Sequence, residues 1–240
     1  MSHSLFIRTY YRDLPWLHEL FRSIDKFVTG FDIVVHCDAA DVGRTLAVLE
    51  RSRSGREVNL RSSIPVCEAG YLNQQAQKLM ADKYCLGDFI TFVDSDCIFT
   101  APTTPEHFMV AGKPQILHTS YATLGGTVPW KQPTDAILKR DVPHEFMRGM
   151  RLTYPREVFE RFRQHIAKIH NVQQPIRWLA SNQRLSEFNV LGAYCWFHEH
   201  DRISWLDTER EPLPVNNVRQ FWSYSMITPE ARAEIEAKLA

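Results

Sequence analysis

No apolar run in this chain approaches the roughly 20 residues that a membrane-spanning helix needs, so the sequence predicts a protein that folds in water. Net charge is missing as well, with 28 Lys and Arg set against 28 Asp and Glu. Without a field of one sign, nothing recruits nucleic acid or an acidic membrane over the whole surface, although a local basic groove is compatible with neutrality. Cysteine is scattered: Cys37, Cys67, Cys85, Cys97 and Cys195 show no close pairing and no metal-ligand spacing. Most sit in apolar runs, where a free thiol packs as a small hydrophobe, and the pattern predicts a reducing, cytoplasmic setting. The opening Met1-Ser2-His3-Ser4 leads almost at once into a strand, which leaves no room for a secretory leader. Internal repeats and low-complexity linkers are absent too.

What is present is an ordinary globular balance, 240 residues of 27.9 kDa with 44% hydrophobic side chains, enough for one substantial domain. "SLFIRTY" (4–10) reads as a strand and Trp16–Phe27 as an amphipathic helix, with Leu17, Leu20, Phe21 and Ile24 at helical spacing. "FDIVVHCD" (31–38) is a second strand, 41–51 a helix, and "SRSGREVNLRSS" (52–63) a polar connection holding a weaker strand. After Gly70, "YLNQQAQKLMADKY" carries Leu72, Ala76, Leu79 and Met80 on one helical stripe. Later come a strand at 114–121, a helix from Pro155 to 170, a segment 186–199 that suits a helix capped by Ser186 or a strand, a strand in "DRISWLD", and a capped terminal helix. Strands alternating with helices predict an α/β domain with a mostly parallel central sheet flanked by helices, one domain over 1–240.

The stretch "DFITFVDSDCIF" (88–99) raises the chemical question. An apolar run ends in Asp94-Ser95-Asp96 and then resumes. In an open parallel sheet ligands bind beyond the carboxyl ends of the strands. Two extended residues one apart point the same way, so Asp94 and Asp96 would repel unless a cation joins them. Hard carboxylate oxygens suit Mg2+ or Mn2+ together with substrate phosphates. The plain alternative is strand termination, a common use of Asp in turns. A phosphotransferase of the haloacid dehalogenase type also carries a strand-end DxD. It places the motif near the N-terminus and wants Thr or Val where this chain has Ile98.

A first strand ending in Thr9-Tyr10, a second ending at Asp38 and a DxD strand near residue 95 resemble a GT-A-type nucleotide-sugar glycosyltransferase. "GYLNQQAQKL" leading into "FVDSDCIF", with the later "LSEFNVLGAYCW" (185–196), resembles a group whose helix carries Gln-Gln-x-x-Lys, followed by an aspartate-rich strand end and a Ser-Glu-aromatic segment. The resemblance implies a single GT-A-like (Rossmann-like) domain, its nucleotide-binding part about 1–112 and its acceptor-side part about 113–240. It implies a nucleotide-diphosphate sugar as donor and Mn2+ or Mg2+ held by Asp94 and Asp96. It implies Thr9, Tyr10, Arg12 and Asp38 on the nucleotide side, and Gln74, Gln75 and Lys78 near the sugar or diphosphate. A solvated helix face is the plain reading of that trio.

In an inverting transferase Glu187 would take the proton of the acceptor hydroxyl. It serves equally as an acceptor-orienting residue, or as an acidic first-turn residue behind the Ser186 cap. Many GT-A enzymes add a late histidine as a metal ligand; His198 is the first candidate for that position, with His200, His118 and His144 behind it. Trp130, in the loop 120–135, suits either a stacking platform or a loop anchor. The acceptor is open among a polysaccharide, a lipid-linked glycan, a protein and a modified nucleobase. A nucleic acid acceptor is not predicted. The competing function is a non-catalytic domain that binds a nucleotide-sugar or carbohydrate. A nucleotidyltransferase is disfavoured, because "TYYRDLP" lacks the Gly-rich loop that class carries after its first strand.

Overall fold

The computed structural model describes residues 1–52, 55–150, 152–181, 184–222 and 226–240. Arg53 and Ser54, within the polar connection named above, lie outside the described residues. The first half of the chain alternates as its periodicity predicts: β1 (His3–Arg8), α1 (Leu14–Phe27), β2 (Asp32–Asp38), α2 (Val42–Ser52), β3 (Asn59–Ser63), α3 (Gly70–Lys78) and β4 (Phe89–Asp94). The second half contributes β5 (Cys97–Phe99), β6 (Met109–Val110), β7 (Lys113–Ser120), α4 (Lys131–Leu138), β8 (His144–Glu145) and β9 (Thr153–Pro155). It closes with α5 (Arg156–His170), α6 (Pro175–Ala180), α7 (Glu187–His198), β10 (Ser204–Asp207), β11 (Val218–Gln220) and α8 (Pro229–Leu239).

The central sheet runs β3-β2-β1-β4-β9. Its first three pairings are parallel and β9 closes the edge antiparallel. Strands β1, β2 and β4 read as nearly unbroken apolar runs because helices cover both faces of a parallel sheet; Leu5, Phe6, Ile7, Val34, Val35 and Ile90 have no exposed surface. α1 lays Leu17, Leu20, Phe21 and Ile24 into the same core, with Pro15 in its first turn. The chain winds outward from β1 through β2 to β3, then returns to β4 on the other side of β1. That reversal opens a crevice beyond the carboxyl ends of β1 and β4, where Arg8 and Asp94 are register partners.

A second sheet pairs β7 in parallel with β10 and antiparallel with β6 and β8. A two-stranded ribbon joins β5 to β11. Among the described residues no helix is long and apolar enough to cross a membrane.

Three local outcomes differ from, or decide between, the readings of the sequence. α3 stops at Lys78 instead of running on toward Tyr84: Met80 N–H closes a tight turn on the Gln77 carbonyl, and the Arg163 guanidinium takes the Leu79 carbonyl at 2.9 Å. A helix end needs such partners for its last carbonyls, and Arg163 is itself fixed by two bonds to Asp82. Residues 186–199 form a helix, with the Ser186 hydroxyl accepting from Asn189 N–H. The Asp94-Ser95-Asp96 segment is not extended, since Ser95 and Asp96 make the turn between β4 and β5.

Candidate functional site

The crevice beyond β1 and β4 is a cavity of about 980 Å³. The loop after β1, the first turns of α3, the β4–β5 turn, the start of α7 and residues from Asn216 to Trp222 form its walls. Of the candidate residues, Tyr10, Arg12, Asp38, Gln74, Gln75, Lys78, Asp94, Asp96 and Glu187 all line it.

At its floor lies a three-membered charge cluster. Lys78 Nζ stands 2.5 Å from Asp94 Oδ1 and 2.9 Å from Glu187 Oε1, and 4.8 Å above the Phe188 ring. Lys78 is 4% exposed and Glu187 2%. Burial opposes the charge on Lys78, but Asp94 and Glu187 outweigh it and hold the ammonium above the ordinary lysine range. Burial pushes the Glu187 carboxyl above the usual carboxylate range; Lys78 draws it down and the charge of Asp94 pushes it up again. The sequence assembles this cluster through two helices. Gln75 carries its side-chain carbonyl to the Glu187 backbone N–H at 3.0 Å, docking the open N-terminus of α7 onto α3. Of the Gln-Gln-x-x-Lys motif, then, Gln75 and Lys78 fasten α7 and its first carboxylate, while Gln74 faces the cavity.

A second network sits at the end of β2. Arg8, 1% exposed, donates to Asp38 Oδ1 at 2.6 Å and to Gln77 Oε1 at 2.5 Å. Burial lowers the pKa of this guanidinium and the Asp38 charge opposes that. Asn73 and Gln77 also donate to Asp38 Oδ1, at 3.2 and 3.4 Å. Every bond the described residues make to Asp38 thus falls on one oxygen, on a half-buried side chain at the cavity wall. A charge-assisted, multiply bonded carboxylate is rigid as well as acceptor-only.

The β4–β5 turn is pinned from both sides: Ser95 Oγ donates to Asp13 at 3.1 Å, and the Asp96 carbonyl accepts from Phe221 N–H at 2.9 Å. The wall carries Arg8, Arg12, Lys78 and Arg219 against Asp13, Asp38, Glu68, Asp94, Asp96 and Glu187, an excess of acid. Asp94 and Asp96 are hard-oxygen donors on one wall, which fits Mg2+ or Mn2+ chemically. Among the described residues no group of three His, Cys, Asp or Glu is arranged to hold a metal. A cation held by these two carboxylates alone would take its remaining ligands from elsewhere, as Mg2+ commonly does from phosphate and water.

Two candidates stand elsewhere. His198 lies at the far end of α7 from Glu187, about 16 Å along a helix axis at 1.5 Å per residue. Its ring packs at 4.5 Å from His165 and 4.9 Å from Tyr194, so it does not reach the carboxylates. Thr9 is fully buried behind the wall, its N–H bonded to the His36 carbonyl. His118, His144 and His200 gather around Trp196, each ring within 5.1 Å of it, and none lines the cavity. Trp130 precedes α4 and also stands outside the cavity.

Sequence reasoning missed Arg8, Gln77, Asn73 and Asn189. Asn189 fixes the start of α7, accepting from Phe146 N–H at 2.9 Å and donating to Thr134 at 2.8 Å and Tyr121 at 3.0 Å. One signal was available for Arg8: an arginine at the end of a strand otherwise written in apolar residues needs a buried partner.

The crystal structure of galactosyltransferase LgtC in complex with donor and acceptor sugar analogs is similar to this chain at a TM-score of 0.62. The match covers 98% of this chain and 95% of that one at 11% sequence identity. At that identity the likeness shows the fold, a mixed α/β, GT-A-like single domain with a mostly parallel central sheet. No protein-family model and no curated protein matches the chain.

Proposed function

We propose that this chain is a metal-dependent glycosyltransferase that moves a sugar from a nucleotide-diphosphate sugar to an acceptor hydroxyl. The observation that supports it most is the convergence of Asp94, Asp96 and Glu187 on one cavity at the switch point of a GT-A-like sheet. In this reading the part up to about residue 112 binds the nucleotide and the part from about 113 receives the acceptor.

Asp94 and Asp96 would hold Mn2+ or Mg2+, which when bound offsets the charge of the departing diphosphate. Tyr10, Arg12 and Asp38 bind the nucleoside, with Thr9 supporting the wall from behind, and Asp38 offers its second oxygen to an N–H or O–H of the ligand. Gln74 hydrogen-bonds the sugar or diphosphate. Glu187 removes the acceptor proton: the acceptor oxygen bonds to the anomeric carbon, the bond from that carbon to phosphate breaks, and the hydroxyl proton passes to the carboxylate. A single displacement of this kind inverts the anomeric centre. A carboxylate raised toward neutrality by burial suits that task better than an ordinary one. The proposal includes a cytoplasmic setting, supported by five free cysteines of which four are buried.

Calorimetry with uridine or guanosine diphosphate, with and without Mn2+, tests the assignment. Asp94→Asn and Asp96→Asn are each expected to abolish the Mn2+-dependent part of nucleotide binding; unchanged binding would sink the metal role. At saturating donor, Glu187→Gln should lower transfer by about 10²- to 10⁴-fold, the usual worth of a general base. One observation favours a second reading, a domain that binds the donor without turning it over: Lys78 already holds the Glu187 carboxylate in an ion pair. Donor hydrolysis in Mn2+ separates the two, since a binding domain releases no sugar.

A further inference from the structure

We propose that Lys78 competes with a divalent cation for Asp94, so that the Asp94–Asp96 site takes up metal together with a nucleoside diphosphate and not metal alone. This rests on the metal reading above and adds a role for a residue that the family resemblance places near the sugar or diphosphate.

Among the described residues the Lys78 ammonium meets Asp94 Oδ1 at 2.5 Å, Glu187 Oε1 at 2.9 Å and the Phe188 ring at 4.8 Å. A lysine carries three N–H donors and no acceptor, so two of the three are taken up while both carboxylates are engaged. The electrostatic fault posed by Asp94 beside Asp96 thus has an internal remedy, a cation supplied by α3. A dication on either oxygen of Asp94 meets that ammonium as a like charge at short range, inside a site where burial weakens screening.

Lys78 cannot simply turn to water, because it is 4% exposed and anchored on Glu187. A diphosphate changes the balance by bringing negative charge for the metal and an oxygen that can replace Asp94 as partner of Nζ. Lys78 is therefore a positioning residue that makes uptake of the two ligands mutually dependent, a coupling that is reciprocal by thermodynamic necessity.

Mn2+ alone, followed by electron paramagnetic resonance of the free ion, gives a readout that needs neither sugar nor acceptor. In the wild type, uridine diphosphate is expected to tighten Mn2+ binding by about tenfold or more, the scale of one close like-charge contact. The double variant Lys78→Met/Glu187→Gln removes one positive and one negative charge, so the formal charge of the site is unchanged while Asp94 is released. It should bind Mn2+ alone about tenfold more tightly than the wild type, and adding Asp94→Asn should erase that gain. The proposal is overturned if the double variant binds Mn2+ no better, if the gain survives Asp94→Asn, or if neither protein takes up Mn2+ with or without nucleotide. Should the double variant fail to fold, the wild-type comparison decides: equal Mn2+ affinity with and without uridine diphosphate overturns it. Absence of sugar transfer to any acceptor would count against the enzymatic reading and leave this result standing.

Discussion

His36 is buried in β2 with neither ring nitrogen hydrogen-bonded among the described residues, its ring 4.3 Å from Tyr84 and 6.0 Å from Phe6. Burial, helped by the positive charge of Arg8, lowers its pKa to about 3, against about 6.5 in an unfolded chain. The unfolded state therefore binds a proton that the folded state refuses between those two values. The contribution of a neutral His36 is complete above pH 6.5 and is lost as the pH falls toward 3, at up to about 1.4 kcal/mol per pH unit. His36→Phe keeps an aromatic ring beside Tyr84 and Phe6 and removes the titration. Urea midpoints measured from pH 7 to pH 4 should fall more steeply for the wild type than for this variant, and parallel curves would show that His36 carries none of the acid sensitivity.

At the scale of elements, α7 is the part whose packing does most for the site. It is buried around almost its whole circumference, and a Cβ at Gly192 would lie 2.5 Å from Cβ of Phe146. Gly192→Ala therefore forces apart α7 and the segment held by Asn189, and is expected to destabilise the fold by about 1–3 kcal/mol, the usual cost of overpacking. Chemical denaturation measures it; a midpoint within error of the wild type would contradict the close approach. The same helix shows what the sequence discloses and what it withholds. Ser186 announces its cap locally, and β1, α1, β2 and β4 announce themselves through period and apolar runs. The DxD turn, Gln74, Lys78 and Glu187 are legible as candidates from their motif order, and the structure brings them to one cavity. Their partners are not, because Lys78 meets a glutamate on another helix and Arg8 meets Gln77 across 69 positions of chain. α3 ends short of the helix its apolar stripe predicts for the same reason: Arg163, which takes the Leu79 carbonyl, comes from α5.

For the molecule as a whole, the segment beyond Leu213 closes the cavity without building the core. Val218 is its sole member of the main hydrophobic cluster among the described residues, while Trp16, Ile98, Phe221 and Ile235 form a separate small one. Arg22 on α1 holds Glu236 on α8 at 2.6 and 2.9 Å. A variant ending at Pro212 should still unfold cooperatively, at a lower melting temperature because Trp16 and Ile98 lose their cover. It should lose nucleotide binding, because Asn216, Val218, Arg219, Gln220 and Trp222 supply one wall of the cavity. Retained nucleotide affinity would show that wall to be dispensable. The arrangement also sets a timetable during synthesis. As the chain leaves the ribosome, Lys78 and Asp94 emerge 16 positions apart, whereas Glu187 arrives some ninety residues later and the β11 wall later still. In a nascent chain one wall of the cavity is thus missing until the strand that pairs with β5 has been made.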